Sequence, residues 1–142
     1  MPHSLDKCDL IVNTEFEALH YWEDTKSFLQ FPHHHRFLVQ FRITTISGDM
    51  NRSLEFFDVR RVLNECIREM IRDHDQHDKG YDTLGFGVLK LSTEAMGSIL
   101  LDNMCEKEMM QLEPAYCVEL ECIVTEDGYA GSTTRRTVSS PQ

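Results

Sequence analysis

A segment in the first third of the chain alternates in polarity and carries histidines at its start. Residues 35–46 are rich in aromatic and β-branched side chains, as expected for a strand with one buried face. Because neighbouring side chains on a strand point to opposite faces, His33 and His35 share one face and His34 lies on the other. Two imidazoles about 6–7 Å apart on a strand can both reach one metal ion. The segment therefore predicts a strand and two candidate metal ligands.

A third histidine, His20, lies near the end of another strand-like segment. We predict this strand over residues 9–22 and a loop over residues 23–32. Three neutral histidines with one open position are the ligand pattern of a catalytic zinc. We therefore predict a Zn²⁺ site at His20, His33 and His35. The alternative is that these histidines are hydrogen-bonded or surface side chains, or part of a solvated loop, and hold no metal.

Length and charge limit the class of protein. The 142 residues are predicted to form one domain, residues 1–142, with a flexible polar tail over residues 132–142. The formal net charge of −10 argues against nucleic acid as a general partner, since phosphate binding needs a basic field. No apolar run approaches the roughly 20 residues of a membrane-spanning helix, and the start does not resemble a signal peptide. We therefore expect no membrane partner and a cytoplasmic location, where the five cysteines would be reduced thiols.

Two segments have the spacing of amphipathic helices. The first is predicted to begin with Asp58 as its N-cap, and the second near residues 92–94. The apolar side chains that recur at helical spacing in the first are Val59, Val62, Leu63, Cys66, Met70 and Ile71. Residues 80–91 are Gly-rich and irregular, a last long strand is predicted over residues 116–126, and a short strand follows Gly128. The order β-β-α-α-β-(β) predicts an α+β fold with an antiparallel sheet and helices on one face.

Several motifs occur in an order that resembles one known family over nearly the whole chain. Residues 16–20 (Phe-Glu-Ala-Leu-His) resemble a first strand Phe-x-Ala-x-His, and residues 33–37 resemble a second strand His-Gly-His-x-Tyr. Residues 54–62 resemble the segment that leads into that family's first helix, and residues 91–94 stand where its second helix begins with Pro-Thr-x-Glu. The family is that of the 6-pyruvoyl-tetrahydropterin and 6-carboxy-tetrahydropterin synthases, which have the T-fold. The resemblance implies that His20, His33 and His35 hold zinc.

The resemblance also implies roles for other residues. Asp73 and His74 stand where the family has its proton-relay pair. Glu126 matches the glutamate that anchors the 2-amino-4-oxo edge of the pterin, and Glu94 falls in the motif that we assign to substrate binding. T-fold sheets assemble into barrels, so the resemblance implies a homo-oligomer, a trimer or hexamer with active sites between subunits.

The chain departs from the family at its usual catalytic cysteine. That cysteine lies four to six residues before the first histidine of the second strand, where this chain has Ser27, Phe28 and Leu29. Glu23, or Asp24 beside it, is the expected substitute base, because some members of the family use a glutamate. The alternative is that both are solvated loop acids.

The predicted function is that of a zinc-dependent lyase acting on the side chain of 7,8-dihydroneopterin triphosphate or a related dihydropterin. The missing cysteine keeps a second hypothesis open, a zinc- and pterin- or purine-binding T-fold protein that lacks the family reaction. A third hypothesis is a structural protein whose histidines bind nothing.

Overall fold

The computed structural model of the chain describes residues 6–21, 31–47, 55–76, 87–107 and 117–137. These residues form five strands and two helices in an α+β arrangement. In chain order the elements are β1 (Asp6–His20), β2 (His33–Ser47), α1 (Phe56–His74), β3 (Val88–Leu89), α2 (Thr93–Cys105), β4 (Cys117–Glu126) and β5 (Ala130–Thr137).

The strands form one sheet in the order β3-β1-β2-β4-β5. β1 and β2 pair antiparallel along their whole length, from Asp6 opposite Ser47 to His20 opposite His33. β2–β4 and β4–β5 are also antiparallel, as predicted. The short β3 pairs in parallel with the end of β1, which makes the sheet mixed. This strand lies in a stretch that we expected to be irregular, and it forms because Asp75 Oδ1, at the end of α1, accepts from the N–H of Val88 at 2.9 Å and holds the returning chain.

The hydrophobic core lies between the sheet and the two helices. Alternate residues of β2 face the helices and are at most 1% exposed: Phe37, Val39, Phe41 and Ile43. α1 packs on β1, and α2 packs on β4, β5 and α1, so both helices cover the same face of the sheet. His33 and His35 continue the inward-facing row of β2, which places them at the edge of the core.

α1 begins one turn earlier than predicted. Its N-cap is Glu55, whose two carboxylate oxygens accept from the N–H groups of Phe57 and Asp58 at 3.1 and 3.0 Å. Asp58 therefore lies inside the first turn, where its carboxylate interacts favourably with the positive end of the helix dipole but does not cap the helix. Neither described helix combines the length and the apolar content that crossing a bilayer requires.

β4 and β5 form a hairpin through residues 127–129, with Glu126 opposite Ala130. The φ angles of Asp127 and Gly128, 54° and 80°, match the two central residues of a type I′ turn, which the N–H of Tyr129 closes by donating to Glu126 O at 3.0 Å. β5 runs to Thr137, so part of the segment expected to be a flexible tail is a strand. It is held because its inward side chains contact α2: Ser132 Oγ donates to Thr93 Oγ1 at 2.9 Å, and Arg136 pairs with Asp102 at 2.6 Å.

Candidate metal centre

The end of β1 and the start of β2 bring three histidines together. His20 and His33 are direct partners in the antiparallel pairing, and His35 is the next residue of β2 on the same face. Ring centroids are 4.5 Å apart for His20 and His33, 5.0 Å for His33 and His35, and 5.3 Å for His20 and His35. One nitrogen of each ring lies within 4.8 Å of the others, a spacing at which one cation can contact all three.

The Nδ1 atom of each ring contacts an oxygen atom. The acceptors are Leu91 O for His20 at 3.0 Å, Phe31 O for His33 at 2.9 Å and Asp127 Oδ2 for His35 at 2.6 Å. Since carbonyl and carboxylate oxygens only accept, these contacts favour a proton on Nδ1 in each neutral ring, which makes Nε2 the candidate ligand atom. Metal-binding histidines in proteins are commonly fixed by such a contact from their other nitrogen.

His20 is the most deeply buried of the three, with 7% of its surface exposed. Burial lowers the pKa of His20, against the opposing effect of its hydrogen bond to Leu91 O, so the ring favours its neutral, metal-binding form. Within the described part of the chain, the buried Nε2 of His20 has no partner in hydrogen-bonding geometry. A buried nitrogen of this kind fits a metal ligand, because a metal would satisfy its lone pair.

Glu126, the last residue of β4, faces the same nitrogens. Its Oε1 lies 3.2 Å from His20 Nε2, and its Oε2 lies 3.5 Å from His35 Nε2. The carboxylate therefore adds a negative charge where a cation would sit. It can also accept hydrogen bonds from N–H groups of a ligand that enters beside the histidines.

Asp127 approaches His35 from the opposite side of the ring. Its Oδ1 accepts from the N–H of Arg36 at 3.0 Å, while its Oδ2 accepts from His35. These two hydrogen bonds, the one from Arg36 first, lower the pKa of the Asp127 carboxyl. Sequence reasoning missed Asp127. The Asp-Gly turn after a long strand was the available signal, but it does not reveal which strand lies beside the turn.

A pocket of about 180 Å³ adjoins the histidines. Its lining residues are His20, Tyr21, His33, Leu91, Ser92, Thr93, Glu94 and Glu126. Ser92 caps α2 by accepting from the N–H of Ala95 at 3.1 Å, and this fixes the wall that includes the exposed Glu94. Tyr21 was also missed by the sequence analysis. Its hydroxyl is buried, and among the described residues it has no hydrogen-bond partner.

A larger pocket, of about 510 Å³, lies along the middle of the sheet. It is lined by Asn13, Thr14, Glu15, Leu38, Val39, Gln40, Arg60, Ile123 and Thr125. None of these is a candidate metal ligand or catalytic residue, so the smaller pocket is the candidate site on chemical grounds.

The remaining predicted residues are not brought to the histidines within the described part of this chain. Asp73 is exposed at the end of α1, and its Oδ1 lies 2.9 Å from Arg72 Nε. The hydrogen bond from Arg72 lowers the pKa of Asp73. Neither Asp73 nor His74 lines the pocket. Glu23 lies outside the described residues, as do Asp24 and the positions of the family cysteine.

Comparisons with known proteins place the fold. No sequence-family model matches this chain, and no curated protein matches its sequence. Solved structures do match. The 6-pyruvoyl tetrahydropterin synthase of Plasmodium vivax is similar at a TM-score of 0.62 and 16% identity, over 94% of this chain and 99% of that chain. Two further structures of that protein are described as catalytic residue mutants, in which a glutamate is replaced by alanine or cysteine.

Solved synthase structures from two other species are also similar to this chain. The 6-pyruvoyl tetrahydropterin synthase of Plasmodium falciparum has a TM-score of 0.62 and 16% identity, over 93% of this chain and 99% of that chain. The synthase of Caenorhabditis elegans has a TM-score of 0.56 and 11% identity, over 97% of this chain and 100% of that chain. The resemblance drawn from the sequence is confirmed at the level of the fold, and this chain has the α+β T-fold of the 6-pyruvoyl tetrahydropterin synthases.

Proposed function

We propose that this protein is a zinc-dependent lyase of the pterin synthase type, acting on the side chain of 7,8-dihydroneopterin triphosphate or a related dihydropterin. The observation that carries the proposal is the cluster of His20, His33 and His35, whose ligand nitrogens lie within 4.8 Å of one another beside a pocket. The shared T-fold supports it, and a cytoplasmic location is part of the same proposal.

In this proposal His20, His33 and His35 hold Zn²⁺ through Nε2. When bound, the ion supplies a Lewis acid that makes neighbouring substrate hydroxyl groups more acidic. The chain's own contribution is to fix the orientation of the three rings. The contacts of their Nδ1 atoms with Leu91 O, Phe31 O and Asp127 support that role.

Glu126 is the proposed anchor for the 2-amino-4-oxo edge of the substrate. A carboxylate can accept two hydrogen bonds from the paired N–H groups of that edge. Its position on the wall of the pocket supports the assignment. Glu94 lines the same pocket and is proposed as a second substrate-binding residue. The pocket volume of about 180 Å³ is below the roughly 300 Å³ of a typical ligand pocket, so it suits part of such a substrate.

Removal of a proton from substrate carbon needs a base, and Glu23 is the proposed one. The glutamate that is described as a catalytic residue in the Plasmodium vivax synthase supports a carboxylate in this role. Asp73 and His74 are proposed to relay protons from a neighbouring subunit of a trimer or hexamer. Their absence from the pocket lining of their own chain agrees with that arrangement.

The test begins with metal analysis of the purified protein and continues with 7,8-dihydroneopterin triphosphate and product identification. We expect stoichiometric zinc and a product with a shortened or rearranged side chain. Protein without zinc, or zinc protein that leaves the substrate unchanged, would contradict the proposal. Glu23→Gln should abolish turnover while zinc is retained, and Asp24→Asn, the same change at the adjacent acid, should leave turnover intact.

A second candidate function is binding of zinc and a pterin or purine without the lyase reaction. Two observations favour it: there is no cysteine between Cys8 and Cys66, and Asp73 is paired with Arg72. This protein would bind a dihydropterin with measurable affinity in the presence of zinc and return it unchanged.

A further inference from the structure

The β4–β5 hairpin presents two consecutive carboxylates to one imidazole. Glu126 Oε2 lies 3.5 Å from Nε2 of His35, and Asp127 Oδ2 lies 2.6 Å from Nδ1 of the same ring. His35 is therefore contacted by a carboxylate at both of its nitrogens. The Nδ1 atoms of His20 and His33 contact uncharged backbone carbonyls, whereas Nδ1 of His35 contacts a charged carboxylate.

Backbone contacts hold Asp127 in place independently of the histidine. Its own N–H donates to Arg36 O at 2.7 Å, and its Oδ1 accepts from the N–H of Arg36 at 3.0 Å. Its φ of 54° is the conformation that the type I′ turn requires. The turn is thus attached to β2 at the residue that follows His35, and the second carboxylate oxygen is directed at the ring.

We infer that Asp127 is a positioning residue that keeps His35 in the Nδ1–H form and thereby strengthens metal binding at Nε2. The inference rests on the proposed function, because it concerns the same metal site. A carboxylate on Nδ1 raises the basicity of the other nitrogen and fixes the ring, whereas a backbone carbonyl supplies less negative charge. Asp127 is not among the described residues that line the pocket, so it would act through His35.

Asp127→Asn is the variant that tests this role. Asparagine tolerates positive φ and is favoured in type I′ turns, so the hairpin is retained. Its one side-chain oxygen can take the position of Oδ1 beside Arg36 or that of Oδ2 beside His35, but not both, and it carries no charge. We expect the Zn²⁺ affinity, measured by competition with a chromophoric chelator, to fall by about 10–100-fold. The melting temperature of the metal-free variant should stay close to that of the unmodified protein.

Glu17→Gln is the matched control. Glu17 Oε1 lies 3.7 Å from Nε2 of His34, so this variant also removes a carboxylate beside a histidine of β2. His34 projects from the other face of the sheet, away from the metal ligands. Glu17→Gln should therefore leave Zn²⁺ affinity unchanged, which separates a specific effect at His35 from a general loss of negative charge.

Imidazole nitrogen NMR of the metal-free protein reports the proton position directly and does not depend on zinc. In spectra recorded at a pH where the imidazole is neutral, we expect His35 to be the Nδ1–H tautomer in the unmodified protein and a mixture of tautomers in Asp127→Asn. An Nε2–H tautomer in the unmodified protein, or equal tautomer and affinity in Asp127→Asn, would overturn the inference. If the unmodified protein binds no Zn²⁺, the proposed function fails, and the tautomer still decides whether Asp127 fixes His35.

Discussion

Glu121 and Arg135 lie directly opposite each other on β4 and β5, with Arg135 Nε 2.7 Å from Glu121 Oε2. Arg42 of β2 lies opposite Glu121 on its other side, with its NH1 group 3.2 Å from Oε1. The three residues therefore form a row across three strands, on the face of the sheet away from the helices. The Glu121 side chain is only 6% exposed, so its charge is compensated by two guanidinium groups where water is scarce.

Glu121→Gln should destabilise the protein by about 1–3 kcal/mol, since it leaves hydrogen-bond donors of two arginines without a charged acceptor. The decrease in unfolding free energy should be smaller than that caused by breaking a fully buried ion pair, because the arginines remain partly hydrated. Urea unfolding followed by circular dichroism measures it. Glu15→Gln is the control, because Glu15 and Arg36 form an exposed pair at 3.6 Å whose removal should change the unfolding free energy by less than about 1 kcal/mol.

Replacing His20 or His35 by alanine should remove stoichiometric zinc. The loss of affinity should exceed the roughly 10–100-fold typical of a residue that only supports a ligand. His34→Ala is the control, because His34 neighbours both proposed ligands of β2 but projects from the other face. Metal content after dialysis against a weak chelator provides the measurement. Equal zinc loss in all three variants would contradict the assignment of ligands by face.

Two thiols that are buried in the described part of the chain, Cys66 and Cys122, should make the stability decline at alkaline pH. Burial raises the pKa of Cys66 to about 11 and that of Cys122 to about 12, from an ordinary value of 9.0. The folded protein therefore keeps these protons when the unfolded chain loses them. The stability associated with each thiol is fully present below pH 9.0 and is lost as pH rises toward the folded-state value.

Unfolding free energies measured between about pH 8 and pH 10 test this dependence. Cys122→Ala should be less stable than the unmodified protein at the lower pH, because it removes core volume, and its decline with pH should be shallower. At about pH 8 a thiol reagent should modify the half-buried Cys8 and Cys105 before Cys66 and Cys122. Peptide mapping by mass spectrometry identifies the modified sites, and early modification of Cys122 would contradict its burial.

Gly97→Ala should destabilise the protein although alanine favours a helix. A Cβ on Gly97 would lie 2.8 Å from Thr134 Oγ1, so the Thr134 side chain would have to rotate or α2 and β5 would have to separate. Overpacking costs about 1–3 kcal/mol, and the better helix propensity returns at most about 1 kcal/mol. In a Thr134→Ala background the same change should be neutral or stabilising. A double-mutant cycle from urea unfolding shows whether the contact with Thr134 decides the sign.

Local patterns predicted the elements whose side chains alternate or recur regularly. The strand expected over residues 9–22 is β1, and the one expected over residues 35–46 is β2, each displaced by two or three residues at its start. The shared face of His33 and His35 also followed from the period of a strand. A pattern within one segment was sufficient for these predictions, because both the strand and its facing are local properties.

What the sequence did not predict depends on contacts between distant segments. The cap at Glu55 is an exception, because its carboxylate reaches forward only to Phe57 and Asp58. β3, in contrast, depends on the hydrogen bond between Asp75 and Val88, which are 13 residues apart. The role of Asp127 depends on the contact of its turn with His35 in β2. The strand to Thr137 depends on the packing of β5 against α2. Tyr21 follows a predicted ligand, but only the fold shows that its hydroxyl is buried.

The pairing of His20 with His33 has a consequence for the order of folding. Both belong to the β1–β2 pair, so they meet as soon as that hairpin closes. The contact between His35 and Asp127 joins residues 92 positions apart and forms only when β4 docks on β2. Closure of a long loop is slow compared with closure of a hairpin. Capture of a cation by the hairpin would therefore precede the step that fixes the third imidazole, and zinc added during refolding should bind in two kinetic phases.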